Sequence, residues 1–310
     1  MKKFLLRLTY FFIVIFILAC LFDVFISYRL TKSTERVYQQ WSGLYQDSLN
    51  ADIVVLGSSR AWTQYNPTIL DSILNTNVFI NGIDGSAINR QMIKYDNYRR
   101  INNHMPKLII QNIDLGTMAI TKGYEREQFF PYFIFDRDLV YSYQDYENFN
   151  FLELYLPCYR YIGYPDEVKK ALNLHSEYSE PLYKGFHGRD WDYDGSELNK
   201  MDKITASLDS SMMIEFDQFC SNIVNDNISM CFVYAPVYIE ATKKIINIQG
   251  MYATYKSIAN KYNIPILDYN YHPISLDSTN FYNATHLNKK GGELFSKQLS
   301  IDLDSLRILN

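Results

Sequence analysis

Short apolar runs alternate with segments of helical periodicity between residues 52 and 303. The runs are rich in Val, Ile and Leu, which is typical of strands covered on both faces by helices. Strands that alternate with helices indicate a parallel, doubly wound sheet of about five strands in one α/β domain. The pattern predicts strands at 52–56, 77–80, 107–113, 228–234 and 264–267, a tight glycine turn at 81–85, and helices at 67–74, 86–103, 209–224, 238–262 and 289–303.

This alternation stops between residues 123 and 200. The segment is crowded with aromatic residues, among them the run FFPYFIF at 129–135, and it contains loop-like stretches such as 183–195. It is long enough to form an inserted helical cap. We therefore expect an inserted helical cap at about 123–200, over the carboxyl edge of the sheet.

The chain begins with its longest apolar run. Lys2 and Lys3 precede an apolar stretch at 8–22, which continues past the single acid Asp23 to residue 28. About 20 residues suffice to span a bilayer, and an acid near the interface costs little. The pattern predicts a membrane anchor at 1–30 that contacts the bilayer through 8–28, a helical stalk at 31–49, and the α/β domain at 50–310.

Basic residues lie on both sides of this anchor, since Arg29, Lys32 and Arg36 follow it, so positive charge alone does not decide its orientation. A short basic N-terminus before a long domain favours the N-terminus inside and the domain outside. An alternative anchor is a lipid on Cys20, because residues 17–20 resemble a lipoprotein cleavage box. We rank that alternative second, because the apolar run continues beyond the cysteine and no flexible polar linker follows.

Composition narrows the class of partner. The net charge is −4 and no basic run is present, which argues against nucleic acid. Three cysteines remain for the main domain, without zinc-type spacing. The cysteine pattern therefore gives no sign of a zinc site. With 47% hydrophobic residues in 310, the chain has ample material for a core.

A candidate nucleophile lies directly after the first predicted strand, in the stretch DIVVLGSSRAW at 52–62. Gly57 permits a sharp turn, and Ser58 and Ser59 occupy the start of the next helix. A hydroxyl there lies at the carboxyl edge of a central strand, beside helix N–H groups that lack partners. The alternative is that both serines serve only as helix N-caps.

Two further residues lie at the same predicted edge. His286 follows the last strand, and a serine nucleophile needs a base within hydrogen-bond reach. Gly85 follows the second strand, and its bare N–H suits an oxyanion hole. The alternatives are a structural histidine and a glycine that serves only a positive φ angle.

These residues, in this order, resemble the motif blocks of the SGNH (GDSL-type) hydrolases. The blocks fall on Gly57-Ser58-Ser59, on Asn81, Gly82 and Gly85, and on Asn283-Ala284-Thr285-His286. More closely, the chain resembles membrane-anchored cell-envelope SGNH-like proteins of Bacteroidetes-type bacteria. The resemblance covers about 50–115 and 228–303. It implies a flavodoxin-like three-layer sandwich with Ser59 as nucleophile and no metal or organic cofactor.

The chain departs from the family pattern at two functional positions. The oxyanion-hole Asn has no clean equivalent after the third strand, where Asn112 is available. The acid that orients the histidine is replaced by Asn283, whose carbonyl can still accept the Nδ1 proton. Asp268 and Asp277 are substitutes that come from the same region of the chain.

The resemblance implies a serine esterase or acyltransferase tethered to the inner membrane as a single-pass protein. Its domain would lie on the periplasmic side, and its substrate would be acylated cell-envelope glycan or another ester. A second class of function stays open. A degenerate SGNH domain would bind glycan or an envelope partner without catalysis, through the aromatic insertion.

Overall fold

The computed structural model describes residues 1–46, 49–120, 126–172 and 182–309. The chain forms two compact units, one made of Met1–Ser42 and Gly123–Pro181, the other of Gly43–Lys122 and Leu182–Asn310. Parts of the predicted stalk (47–48) and of the predicted insertion (123–125 and 173–181) lie outside the described residues. The placement of a cap over the sheet stays a prediction.

The second unit is built on a five-stranded parallel sheet with the strand order β2-β1-β3-β4-β5. This order is the flavodoxin-like one, in which the chain reverses direction across the sheet beside β1. The predicted α/β fold class is confirmed. The strands are β1 (Ile53–Gly57), β2 (Val78–Gly82), β3 (Leu108–Asn112), β4 (Ser229–Tyr234) and β5 (Ile266–Asp268).

Helices cover most of the remaining described residues. They are α1 (Lys2–Thr31), α2 (Arg36–Ser42), α3 (Ser59–Gln64), α4 (Pro67–Leu74), α5 (Ile88–Asn102), α6 (Tyr132–Phe135), α7 (Arg137–Ser142), α8 (Gln144–Glu147), α9 (Phe151–Tyr155), α10 (Pro165–Leu172), α11 (Ser196–Lys200), α12 (Ser210–Asn225), α13 (Ile239–Thr242), α14 (Ile248–Tyr262), α15 (Pro273–Leu276) and α16 (Lys289–Ser305). Single 3₁₀ turns lie at Gly43–Tyr45, Arg126–Phe129, Tyr159–Tyr161 and Ser278–Asn280.

Helices cover both faces of the sheet, as the apolar strands require. All five residues of β1 are buried. On one face, Val55 and Ile80 pack in a cluster with Phe295 and Leu299 of α16. On the other face Phe216 of α12 stacks on Phe232 of β4, and Phe79 of β2 stacks on Tyr98 of α5. The unit is therefore a sandwich of three layers.

Two predicted boundaries are wrong. The helix predicted at 238–262 is interrupted, because residues 204–206 pair with the segment between α13 and α14. There Ile246 N–H donates to the Ile204 carbonyl, and Asn247 exchanges two hydrogen bonds with the backbone of Ala206. The pattern of residues near the break does not indicate this pairing with a distant segment. The predicted glycine turn also starts later, because Asn81 and Gly82 belong to β2.

Residues 182–209 belong to the unit that contains the sheet. The Ile80 N–H of edge strand β2 donates to the Lys184 carbonyl, and the His187 N–H donates to the Trp62 carbonyl. A β-carbon on Gly185 would lie 2.0 Å from the Ile80 carbonyl oxygen, so only glycine permits this approach. The segment thereby protects an edge strand from pairing with another chain.

The first unit combines the N-terminal helices with residues 126–172. Helix α1 is long and apolar enough to cross a membrane, and it lies near the N-terminus. Most side chains of residues 2–22 are exposed, whereas Asp23, Ile26, Ser27 and Leu30 are buried in the unit. In α2, the buried Trp41 packs on Phe129. The apolar exposed part and the packed part of α1 therefore meet near Asp23.

Candidate active site

Ser59 is the first residue of α3, immediately beyond β1 and Gly57. A β-carbon on Gly57 would lie 2.8 Å from Cβ of Asn112 and 2.9 Å from Cβ of Ala61, so the turn needs glycine. Ser59 is half-buried at the point where the chain reverses direction across the sheet, between β1 and β3. Ligands in open α/β sheets bind at such points.

Neither serine caps the helix through its side chain. Ser58 stands at the N-cap of α3, but its hydroxyl donates to Oδ2 of Asp114 at 2.6 Å. The Ser59 hydroxyl contacts His286 instead. The N-cap alternative therefore does not account for either hydroxyl.

His286 lies in the loop that leads into α16. Phe281 and Leu287 pair at the base of this loop, and the Tyr282 N–H donates to the His286 carbonyl. Asn288 caps α16, and its amide also donates to the Phe281 carbonyl. The loop and the helix start are thus one hydrogen-bonded structure, which holds the imidazole in place.

The imidazole of His286 contacts Ser59 through one nitrogen and Asn283 through the other. The Ser59 Oγ lies 2.7 Å from Nε2, and the Asn283 Oδ1 lies 3.0 Å from Nδ1. The ring of Tyr282 stacks on the imidazole, with 5.4 Å between centroids and 17° between planes. The structure therefore brings together the three residues predicted as a triad.

The orientation of the Asn283 amide follows from its backbone partners. Its Oδ1 accepts from the backbone N–H groups of Thr285 at 3.0 Å and His286 at 2.9 Å. An N–H can only donate, so the oxygen must point inward. Nδ1 of His286 then carries the proton and Nε2 is free to accept from Ser59. This is the tautomer that a general base requires.

Three other residues that the sequence offered for this site have partners away from the imidazole. Asn112 is fully buried, and its amide accepts from Tyr65 and contacts Asp114, so its side chain is engaged within the sheet edge. Asp268 binds Tyr252 and the N–H of Asn270, and Asp277 caps a 3₁₀ turn. Among the described contacts, neither aspartate reaches His286.

A cavity of about 240 Å³ opens beside Ser59 and His286. Gly85 lies on its wall with φ +60° and open space where a β-carbon would be. The Ser59 N–H belongs to the first turn of a helix, whose N–H groups have no partner within the helix. The other wall is mainly apolar and includes Leu115, Met201, Val237, Ala241 and Ile245.

A buried ion pair lies at the floor of this cavity. Arg60 and Asp114 both line it, with 3.7 Å between Nη2 and Oδ2. Arg60 also donates to the carbonyls of Ala235 and Ile113 and lies 4.8 Å from the Tyr234 ring centroid. The Oδ1 of Asp114 accepts from Gly116 N–H at 2.8 Å. The pair therefore places two opposite charges on the lining of the cavity that also contains the nucleophile.

The environment of His286 disfavours its charged form. Burial lowers the pKa of His286 from 6.5 to about 4; the Arg60 cation also lowers it, and the Asp114 carboxylate opposes the shift. The imidazole is thus neutral, and able to accept a proton, at any pH well above 4.

We expect ester hydrolysis by this site to persist at mildly acidic pH. An ordinary histidine would be only about 10% neutral at pH 5.5, whereas this one stays almost fully neutral. In a profile of kcat/KM against pH, the acid limb should fall near pH 4 rather than near pH 6.5. Stability changes in the same window, since an unfolded chain binds the proton below pH 6.5 and the folded chain only below about 4. Folding should weaken as pH falls between these values.

Gly291 controls how closely α16 approaches the histidine loop. A β-carbon there would lie 2.0 Å from the Asn280 carbonyl oxygen, which is backbone and cannot rotate away. We expect Gly291→Ala to cost about 3 kcal/mol in unfolding free energy. The matched control is Gly250→Ala in α14, which meets open space and should gain about 0.5–1 kcal/mol. Denaturant unfolding of the detergent-solubilised chain measures both; equal values would contradict the close packing.

Sequence reasoning missed the roles of three residues. Arg60 and Asp114 form the ion pair, and Thr285 Oγ1 lies 3.0 Å from Nδ1 of His286. Asp114 follows the third strand, and a polar residue at that edge was the available signal. Nothing local marks Arg60, because its partners lie directly after β3 and at or directly after the end of β4.

Within the described ranges, no group of three or more His, Cys, Asp and Glu side chains could hold a metal ion. The four cysteines are free thiols.

Comparisons with known proteins give a distant likeness in fold. No protein-family model and no curated protein matches the chain. One similar solved structure is that of a Bacteroides fragilis protein provisionally described as an acylhydrolase; it is 11% identical, with a TM-score of 0.43 over 83% of this chain and 88% of that chain. Another is an acetyl xylan esterase, 10% identical, with a TM-score of 0.39 over 82% and 98%.

Proposed function

We propose that the chain is a membrane-anchored serine ester hydrolase of the SGNH type, with Ser59 as nucleophile. The observation that carries the proposal is the contact of 2.7 Å between Ser59 Oγ and His286 Nε2, with Asn283 on the opposite nitrogen. A serine that contacts a histidine base, which a third group orients in turn, is the general arrangement for acyl transfer through serine.

In the proposed reaction, Ser59 Oγ attacks the ester carbonyl carbon while its proton moves to Nε2 of His286. The carbonyl oxygen becomes an oxyanion, which accepts hydrogen bonds from the N–H groups of Ser59 and Gly85. The C–O bond of the ester breaks, and the leaving alcohol takes the proton from Nε2. Water, or an acceptor hydroxyl in an acyltransferase, then releases the acyl group by the reverse proton transfers.

The neutral histidine supports this assignment of roles. A base with a pKa near 4 is in its active form at neutral pH, but it is a weak base. The Asn283 carbonyl fixes the tautomer without stabilising the imidazolium as a carboxylate would. We therefore expect the esterase to have a modest turnover number.

The substrate we propose is an acylated glycan of the cell envelope, on the periplasmic side of the inner membrane. Trp191 is 59% exposed and lies edge-on to Tyr282, which itself stacks on His286. Aromatic faces of this kind suit a sugar ring next to the reacting ester. The periplasmic location is supported by Lys2 and Lys3, which lie at the end of α1 that is far from the domain in sequence.

The apolar wall of the cavity suits the acyl part of the substrate. Its volume, about 240 Å³, is below the roughly 300–1,000 Å³ of sites that hold a whole drug-sized ligand. Ala241 is buried on this wall. We expect short and medium acyl chains to fit, and side chains at position 241 to set the limit.

A chain-length series tests both the function and this pocket. Ala241→Leu should lower kcat/KM for hexanoyl esters at least about tenfold more than for acetyl esters, because each excluded methylene is worth about 1–3 kcal/mol. The control is Lys243→Leu, which adds a leucine at an exposed position just beyond the same helix. Equal losses for both esters would contradict the acyl pocket, and no hydrolysis of any ester by the parent chain would contradict the proposed function.

A further inference from the structure

Five apolar side chains form an exposed surface on the unit that contains α1. Four of them belong to α9 or directly follow it, and the fifth lies just past the 3₁₀ turn Tyr159–Tyr161, against which α9 packs. The members of this α9 surface, with their exposed fractions, are Phe151 (72%), Leu152 (43%), Tyr155 (49%), Leu156 (42%) and Ile162 (70%). Contiguous exposed apolar surface of this kind marks an interaction site.

Hydrogen bonds fix the neighbouring turn against one point of α1. Cys158 N–H donates to Asp23 at 3.1 Å, and the Cys158 thiol donates to the Ala19 carbonyl at 3.3 Å. The Arg160 guanidinium forms a buried two-pronged pair with Asp23 and also donates to Ser27 at 2.9 Å. The turn therefore lies beside residues 19–27 of the helix.

This point of attachment coincides with the end of the apolar part of α1. Residues 4–22 span about 28 Å as a helix, close to the ~30 Å hydrocarbon thickness of a bilayer. Asp23 is the first acid of the helix, and its charge is compensated by Arg160 inside the protein. If α1 crosses the membrane, the α9 surface is attached where the hydrocarbon ends.

The polar groups of α9 have partners within the protein, and the exposed Tyr155 hydroxyl lies 3.1 Å from that of a neighbouring tyrosine. Its one charged residue, Glu153, is buried, accepts from Arg126 at 3.0 Å and completes a capping box with Asn150. The aromatic members, Phe151 and Tyr155, are in ring contact at 4.8 Å. A short helix with an apolar, aromatic outer face and satisfied polar groups suits the membrane interface.

We propose that the α9 surface rests in the headgroup region of the bilayer into which α1 inserts. The unit made of α1, α2 and 126–172 is then bound to the membrane by a helix and by a surface, which fixes its tilt. This inference rests on the membrane anchoring in the proposed function, and it extends that function with a second lipid contact.

Depth-dependent quenching tests the proposal in the full chain, reconstituted into phosphatidylcholine vesicles. Phe151→Trp adds a reporter to the α9 surface, Phe12→Trp reports on the middle of α1, and Ile301→Trp is a control at a residue of the other unit that is 56% exposed. Each spectrum is taken as the difference from the parent chain. Lipids brominated near the headgroup should quench the tryptophan at position 151 more strongly than lipids brominated at the chain end.

The three reporters separate the outcomes. Quenching at 12 and 151 but not at 301 supports the proposal. Quenching at 12 without quenching at 151 overturns the lipid contact while the anchor stands, and a blue-shifted, unquenched signal at 151 that depends on protein concentration assigns the surface to a second copy of the chain. No quenching at 12 overturns the anchoring itself, and the lipid contact with it.

Discussion

Ser59→Ala will lower kcat for ester hydrolysis by about 10⁴–10⁶-fold if Ser59 is the nucleophile. The substitution removes the oxygen that forms the acyl-enzyme and leaves the fold intact, because the hydroxyl has no role in capping α3. Its contact is the imidazole of His286 at 2.7 Å. Hydrolysis of aryl acetates by purified full-length variants measures the loss.

The loss should not add to that of the base. His286→Ala removes the proton acceptor and should cost a similar factor, and the double variant should be no slower than either single one, because the two residues act as one unit. Ser58→Ala is the matched comparison, since the adjacent hydroxyl binds Asp114 and does not contact the imidazole. A larger loss for Ser58→Ala than for Ser59→Ala would contradict the assignment of the nucleophile.

Asn283→Asp will raise turnover above that of the natural chain. The present carbonyl already accepts two backbone N–H bonds and lies 3.0 Å from Nδ1, so a carboxylate of the same shape can take its place. An anion at this distance should raise the pKa of His286 by about 1 to 3. If the imidazolium gains the same stabilisation in the transition state, kcat at pH 8 rises by about tenfold to a thousandfold.

The pH profile makes this prediction specific. The acid limb of kcat/KM should move upward from near pH 4 by about 1 to 3 pH units in Asn283→Asp, because the neutral form is then lost at higher pH. Asn283→Ala should lower kcat instead, and Thr285→Val tests the second oxygen beside Nδ1. A faster Asn283→Asp variant with an unmoved limb would show that the new carboxylate acts on something other than His286.

The pattern of apolar runs was enough to predict the sheet and its helices. Each of the five strands contains consecutive apolar residues, and such a signal depends on local residues alone. The interrupted helix after β4 was not predictable in this way, because Asn247 leaves helical geometry to pair with Ala206, more than forty positions away. Helical periodicity continues on both sides of the break.

The candidate site also has parts that the sequence predicts and parts that it does not predict. Ser59, Gly85 and His286 each follow a predicted strand, so the topology alone brings them to one edge. The orientation of Asn283 depends on the backbone N–H groups of its own loop, which short-range sequence encodes. The ion pair of Arg60 and Asp114 depends on the packing of three strands, and no periodicity reports that packing.

The structure of the aromatic segment after residue 123 was the hardest part of the fold to predict from the sequence. Its order rests on contacts such as Arg160 with Asp23, which join residues 137 positions apart. In the sequence, Asp23 interrupts an apolar helix and Arg160 lies in an aromatic stretch, so neighbouring residues explain neither charge. Only their pairing in the first unit explains both, since a buried charge requires a partner.

Labelling with a fluorophosphonate tests the central claim most directly. The reagent forms a covalent adduct only with a serine that is activated by a base, so it reports on Ser59 whatever the natural ester is. Peptide mapping by mass spectrometry should find one adduct, on Ser59, which is absent in Ser59→Ala and strongly reduced in His286→Ala. A folded parent chain that stays unlabelled, or that is labelled equally in the His286→Ala variant, would contradict an activated serine and leave a binding protein as the function of this site.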